Sequence, residues 1–380
     1  MMQHQSVSPA WQGGQLRVLQ LDTERGWRGG QRQTFLLARE LMRRGHLSFV
    51  AARPGEPLSQ RARAAGIPVV AAVPTGEVGL ITAYRLRRII KRHGIQVVHA
   101  QAAHAVMLGA LAVIGTDARL VVTRHLARAP RANRITRWKY SRADAVMAVS
   151  NAAARALESA GLDASHVKVV PGGVEVERDA TPATARTLAS FGVPAGVPLA
   201  VMVGALVLQK DPVTFVRAIA AARKQVPALH ALLVGDGELR PSLEAEVLSL
   251  GLQDCVHFAG FRDDVDALLS AGTVAVLSSR FEGLPLVIMD AFALGVPVAA
   301  TAGSGIPELV EDGVTGLLVP VGQPAALGDA IARIVRDPAL AATLREGGRR
   351  RVQDYSVARM VDATERVYAE VLSAPVTPGR

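Results

Sequence analysis

Short apolar runs alternate with amphipathic stretches along this chain, and the alternation runs its course twice. In the first half "LRVLQLD", "LSFVAA", "IPVVAAV", "IQVVHAQ", "RLVVTRH", "AVMAVS" and "VKVVPGG" read as strands. Between them lie helical patterns such as "TFLLARELMRRGH", with Phe35, Leu41 and Met42 near one face. Strand, helix, strand at this spacing builds a parallel sheet joined by crossover helices. The pattern then restarts with "PLAVMVGA", "HALLVGDG", "VHFAGF", "VAVLSS", "PVAAT" and "TGLLVP". The break falls in "PGGVEVERDATPATA", residues 171–185, rich in Pro, Gly and polar side chains. The chain has 380 residues, more than one hydrophobic core commonly holds. The expected fold class is α/β, two doubly wound parallel-sheet Rossmann-like domains. They are set at 16–178 and 179–355, after a loose tail at 1–15. Ligands bind such sheets in the crevice at the strands' carboxyl ends, so a cleft faced by both domains is the expected site.

Charge divides at the same place. Residues 1–178 hold 26 Lys and Arg against 11 Asp and Glu, and residues 179–380 hold 17 against 22. Halves of opposite sign point to different partners. "RHLARAPRANRITRWKYSR", Arg124 to Arg142, is rich in Arg and Lys and has no acid. "YRLRRIIKRH" is a second basic stretch, with Ile81, Leu86, Ile89 and Ile90 expected opposite the charges. Such a surface suits an anionic ligand or an anionic membrane face, or is simply a solvated helix surface. Few aromatics interleave the arginines and no recognition motif is present, so nucleic acid is not an expected partner. No G-x-G-x-x-G follows the first strand, which argues against a nicotinamide dehydrogenase. Cys255 is the single cysteine; it excludes an intrachain disulfide and reads as a small buried hydrophobe. No apolar run reaches the about 20 residues of a spanning helix, and the start lacks a secretory pattern. The expected location is cytoplasmic, with the inner face of the membrane as an extension of it.

Two acids mark the second half. "RFEGLPLVIMDAFALGVPVAAT" carries Glu282 and Asp290 in otherwise apolar surroundings, and burying unpaired carboxylates is costly. "VAVLSS" is a strand and "PLVIMDAFALG" a helix, with Pro285 suited to its first turn and Gly295 and Pro297 to its end. Glu282 then lies in the strand-to-helix loop and Asp290 inside the helix. Amides near Leu284, Leu286 and Val287 would form an anion site, with the two acids accepting hydrogen bonds from hydroxyls beside it. Carboxylates on hydroxyls next to a diphosphate describe a nucleotide-sugar. The bland reading makes Glu282 a solvated loop acid and Asp290 a local partner. Gly204 ends a strand in "MVGALVLQKDP", where Lys210 precedes a helix and either meets a diphosphate or merely faces solvent. In "WRGGQRQ", Gly29 and Gly30 stand after the first strand, where a backbone can approach a ligand closely.

Seven of these segments together resemble the large family of retaining glycosyltransferases usually numbered 4, of the GT-B fold. "EGLPLVIMD" resembles that family's E-x7-E element, with Asp for the second Glu, and "GALVLQKDP" its G-R-L-x-x-x-K-G element. "GGQRQTFLLARELMRRGH", "VVHAQ", "VVTRH", "ADAVMAVS" and "VVPGGVE" fall in the expected order over roughly residues 16–372. The resemblance implies catalytic roles for His125, Lys210 and Glu282. Lys210 would contact the donor diphosphate, Glu282 the transferred sugar, and Asp290 the ribose diol. Gly29 and Gly30 would sit beside the donor phosphates or the acceptor. Gly204, Gly283, Leu284, Leu286 and Val287 would complete the donor site, and His125 would stand near the reacting sugar. A histidine at a strand end can equally be a core residue, and His99 and His104 read as structural or cleft-lining. The last helix, 356–373, would pack back on the first domain. The implied reaction moves a sugar from a nucleoside diphosphate to an acceptor hydroxyl with retention, by front-face attack. The nucleotide-sugar is a co-substrate and no cofactor is expected. No His/Cys cluster has ligand spacing, so no metal is expected. An anionic or membrane-associated cell-envelope glycan or glycolipid is the expected acceptor. Ala205 stands where the family usually has Arg, leaving one fixed cation fewer, with Arg280 and Arg262 as replacements by position. A nucleotide-sugar epimerase and a non-catalytic nucleotide-sugar-binding subunit are the alternatives.

Overall fold

The computed structural model describes residues 14–74, 79–130, 133–178 and 180–375. Most of the tail set at 1–15, and parts of the Arg124–Arg142 stretch and of the 171–185 break, lie outside them. Among the described residues the chain forms two compact units. One runs up to Gly173 and resumes at Val357; the other is Val174–Ser356. The boundary therefore falls between Gly173 and Val174, a little before the position 178 expected from composition.

The first unit holds seven parallel strands: β1 (Arg17–Leu21), β2 (Leu47–Ala52), β3 (Val69–Ala71), β4 (Val97–Ala100), β5 (Arg119–Arg124), β6 (Ala145–Ala148) and β7 (Val167–Val169). Their order is β3-β2-β1-β4-β5-β6-β7. Strands such as β4 and β6 are buried at every residue, because helices cover both faces of a parallel sheet, and continuous apolar runs follow from that. The second unit repeats the plan with β8 (Leu199–Val203), β9 (His230–Val234), β10 (Val256–Gly260), β11 (Val274–Leu277), β12 (Val298–Thr301) and β13 (Leu317–Val319). Its order is β10-β9-β8-β11-β12-β13. In both units the order reverses beside the first strand, at β1/β4 and at β8/β11. Those are the switch points where open α/β sheets bind ligands.

Helix Val357–Ser373 belongs to the first unit. Val361, Val367, Tyr368 and Val371 share a core with Leu16, Val18, Leu37 and Leu41. At its polar edge Arg44 Nη1 meets Asp362 Oδ1 at 2.6 Å and Glu365 Oε2 at 2.9 Å, and His46 Nε2 lies 3.1 Å from Glu365 Oε1. Apolar burial holds the helix and the ion pairs fix its register.

The basic helix Leu80–His93 departs from expectation at one end. Leu86 and Ile90 are buried, yet Ile81 is exposed together with Leu80 and Tyr84. In helix Arg134–Ser141, Ile135 and Trp138 are likewise exposed between arginines. Cys255 is buried, its thiol directed at Leu252 O.

Candidate functional site

In the second unit the chemistry gathers at the β8/β11 switch point. β8 runs into Gly204, whose φ of 156° lies where glycine is favoured. The following loop reaches Lys210 and then Asp211. Asp211 adopts a left-handed conformation (φ 47°, ψ 55°) and caps helix Pro212–Arg223, accepting from Thr214 N. β11 runs into a second loop, where the Ser278 hydroxyl lies within hydrogen-bond reach of the Lys210 and Asp211 carbonyls. Arg280 N donates to Gln209 O at 2.9 Å, and its Nε to Asp211 Oδ2 at 3.0 Å. The two loops are thus sewn together.

Glu282 is the centre of this seam. Lys210 Nζ donates to Glu282 Oε1 at 2.6 Å and Ser279 Oγ to the same oxygen at 2.8 Å, while Gln209 Nε2 lies 3.4 Å from Oε2. The carboxylate is buried and the lysine partly accessible. A buried charge survives when paired and hydrogen-bonded. This excludes the bland readings of a solvated Glu282 and a free surface Lys210.

A third loop packs on the second from β12. A Cβ on Gly305 would stand 1.7 Å from Gly283 O, and one on Gly303 within 2.8 Å of Ser279 O and Arg280 O. Only glycine lets the backbones approach this closely, and Gly305 N uses the approach to donate to Glu282 O at 3.1 Å. Helix Leu286–Ala293 follows. Pro285 is its N-cap rather than part of its first turn, and no side chain caps this end. Leu284 is buried, and Leu286 and Val287 are half-buried. An uncapped first turn offers amide donors to an anion.

Asp290 is held differently. Its Oδ1 pairs with Arg178 Nη2 at 2.9 Å, and Arg178 Nη1 also reaches both oxygens of Asp266 at 3.0 and 3.1 Å. Arg178 lies in the stretch read as a linker, so nothing in the sequence marked it. Arg178 also lines a cavity of about 680 Å³ together with Val176, Glu177, Ala293, Arg349 and Gln353. In this state an arginine occupies the carboxylate assigned to a ribose. Asp264 and Asp266 form an Asp-x-Asp pair, an arrangement that can bind a metal; Arg262 grips Asp264 through two bonds of 2.7 and 2.8 Å and Arg178 holds Asp266. Of the replacements for the missing arginine, Arg262 is therefore engaged elsewhere, and Arg280, in the loop after β11, is tied to the Lys210 loop through Gln209 and Asp211. Among the described residues no group of three or more His, Cys, Asp or Glu is arranged to hold a metal ion.

In the first unit Gly29 and Gly30 are the first two residues of helix Gly29–Arg43, not a loop before it, with Arg28 as N-cap. Asp22, at the end of β1, ties this helix down by accepting from Gln31 Nε2 and Thr34 Oγ1; burial raises its pKa. A Cβ on Gly30 would lie 3.7 Å from His125 Cδ2, so the helix start and the histidine are neighbours. His125 is half-buried after β5, and its Nε2 lies 3.1 Å from Gln101 Oε1. Burial, with Arg124 beside it, pushes its pKa down to about 4; burial and His125 push His99 down to about 3. Both are neutral at pH 7. His99 sits under the site, and His104 is exposed.

Two Rossmann-like units, with parallel sheets of seven and six strands among the described residues, are the architecture of the GT-B class. The family described as "Glycosyltransferase Family 4" matches residues 27–178, and "Glycosyl transferases group 1" matches residues 185–351. An α-maltose-1-phosphate synthase of Mycobacterium tuberculosis is 31% identical over 309 residues, 72% of this chain and 79% of that protein. The chain belongs to the group 1, family 4 glycosyltransferases. A D-inositol 3-phosphate glycosyltransferase of Saccharomonospora viridis is 34% identical over 220 residues, 55% of this chain and 51% of that protein. The chain thus spans about half the length of the first curated relatives it matches. In fold it is similar to HepE of Anabaena, solved with UDP-glucose, with a TM-score of 0.82 and 23% identity over 94% of this chain and 99% of that one.

Proposed function

We propose that the chain is a retaining glycosyltransferase that moves a sugar from a nucleoside-diphosphate donor to an acceptor hydroxyl. The observation that carries this reading is the 2.6 Å contact between Lys210 and Glu282, from loops 72 residues apart at one switch point. Negative charge develops on the departing diphosphate. Lys210 and the open first-turn amides of Leu286 and Val287 stabilise it most when the bond is broken, which is where catalysis gains. Arg280, anchored through Nε to Asp211, supplies the cation that Ala205 does not. Glu282, released from Lys210 as the phosphates arrive, accepts from sugar hydroxyls. Asp290 exchanges Arg178 for the ribose diol. Gly29 and Gly30 keep the backbone beside His125 free of side chains, and His125 stands at the reacting sugar. No cofactor takes part, and no metal is required.

The acceptor is proposed to be anionic, in keeping with the basic first half and with the phosphorylated compounds in the names of two relatives. Exposed Leu80, Ile81, Tyr84, Ile135 and Trp138 among arginines suit an acceptor at an anionic membrane surface. No helix among the described residues is long and apolar enough to cross a membrane. The test is thermal shift with UDP, GDP, ADP and dTDP on wild type, Lys210→Ala and Arg280→Ala. One diphosphate should raise Tm in wild type, less in Arg280→Ala and not at all in Lys210→Ala. No shift with any of the four would favour a chain that binds something else.

A further inference from the structure

Beneath His125 lies a closed set of buried polar side chains drawn from distant segments of the first unit. Gln20 of β1, His99 of β4, Gln101, Thr123 of β5 and Tyr368 of the last helix are all buried. Their direction can be read atom by atom. Gln101 Nε2 donates to Gln20 Oε1 at 2.9 Å, and Gln20 Nε2 donates to Tyr368 Oη at 3.3 Å. Gln101 Nε2 also lies 3.2 Å from His99 Nδ1, and an amide nitrogen can only donate. His99 Nδ1 is therefore the acceptor, and it receives the Tyr368 hydroxyl as well, at 2.7 Å. His99 then carries its proton on Nε2, which donates to Thr123 Oγ1 at 2.6 Å. Gln101 Oε1 faces His125 Nε2 at 3.1 Å and can only accept.

We propose that this chain of bonds, running from Tyr368 through His99 and Gln101, holds His125 as the Nε2–H tautomer and leaves the Nδ1 lone pair for a substrate hydroxyl. The inference rests on the reading of His125 as a residue near the reacting sugar. Gln101 and Tyr368 are positioning residues: neither is assigned a contact with substrate. The Nε2–Cδ2 side of the ring is already occupied by Gln101 and the start of helix Gly29–Arg43. A neutral histidine with Nδ1 outward accepts from a sugar or acceptor hydroxyl. It does not donate to a phosphate. The last helix thereby does more than close the core, because its tyrosine accepts from Gln20 and donates to His99 Nδ1 at one end of the network.

The test is a long-range proton–nitrogen correlation spectrum of the full chain labelled with 15N-histidine, at neutral pH, with His125 assigned by its loss in His125→Gln. In wild type the Nε2–H form of His125 should dominate by at least about tenfold, the ratio that one good hydrogen bond of about 1.4 kcal/mol gives. Gln101→Leu removes the acceptor and Tyr368→Phe the first donor. Each should bring the two tautomers to within about threefold of one another. A wild-type spectrum showing His125 as Nδ1–H would overturn the proposal, since both glutamine amides would then point the other way. An unchanged ratio in both variants would overturn the positioning role. The spectrum does not depend on nucleotide binding, so its failure and that of the diphosphate test are distinguishable.

Discussion

Lys210→Ala is expected to lower kcat by about 10²–10³-fold, the range seen when one preorganised stabiliser of developing charge is removed. The reason is twofold. The variant loses the cation that meets the leaving diphosphate, and it leaves Glu282 buried with only Ser279 and Gln209 as partners. Breaking a buried pair by removing one partner leaves a costly unpaired charge, so the loop that presents the sugar-binding acid is disturbed as well. Turnover of the donor identified by thermal shift is the measurement. A variant within about threefold of wild type would make the Lys210–Glu282 pair a structural seam and remove the charge-stabilising role.

Acid should destabilise the first unit steeply, and His99 and His125 set the sign. Both have folded pKa values depressed from 6.5, to about 3 and about 4. Above pH 6.5 each is neutral in the folded and unfolded chain alike, and its contribution is fully present. Below 6.5 the unfolded chain takes up protons that the folded unit refuses, and stability falls until the folded values are reached. Each histidine approaches about 1.4 kcal/mol per pH unit once well below 6.5, so the two together remove about 3 kcal/mol between pH 6.5 and 5. Asp22, raised by burial, works in the opposite sense, and only as pH falls through its own folded value. The chain's three tryptophans all precede Gly173, so denaturant melts followed by tryptophan fluorescence report this unit. His99→Gln keeps a donor and an acceptor at the site and should flatten the pH dependence by about half. Parallel curves for wild type and His99→Gln would show that the histidine titrates freely.

The elements themselves were legible. Among the described residues the thirteen strands fall on the apolar runs that mark them, because the inner strands are covered on both faces and have to be apolar. Glu282 stood out for a related reason: a carboxylate in such surroundings needs a partner. Other readings changed once the chain was folded. Ile81, expected opposite the charges of its helix with Leu86 and Ile90, is exposed where those two are buried. Gly29 and Gly30 open a helix instead of preceding one. Arg178, which the sequence did not mark, pairs with Asp290. Helical periodicity gives the angle of a side chain about its axis, but not whether a neighbouring element reaches far enough to cover it.

What the sequence by itself determined was the local chemistry: two rounds of strand and helix, the glycines, and the acids, lysine and histidine at strand ends. Those properties follow from hydrophobic period and backbone conformation, which act within a few residues. Only the tertiary structure decided which of them meet. β8 lies beside β11, and that adjacency puts Lys210 on Glu282. Arg178 reaches Asp290 from a polar stretch with no pattern of its own. Tyr368 finds His99 from the far end of the chain, 269 residues away. Such pairings depend on sheet order and on the packing of the last helix. Neither leaves a periodic signal, because the partners are brought together by the burial of other residues.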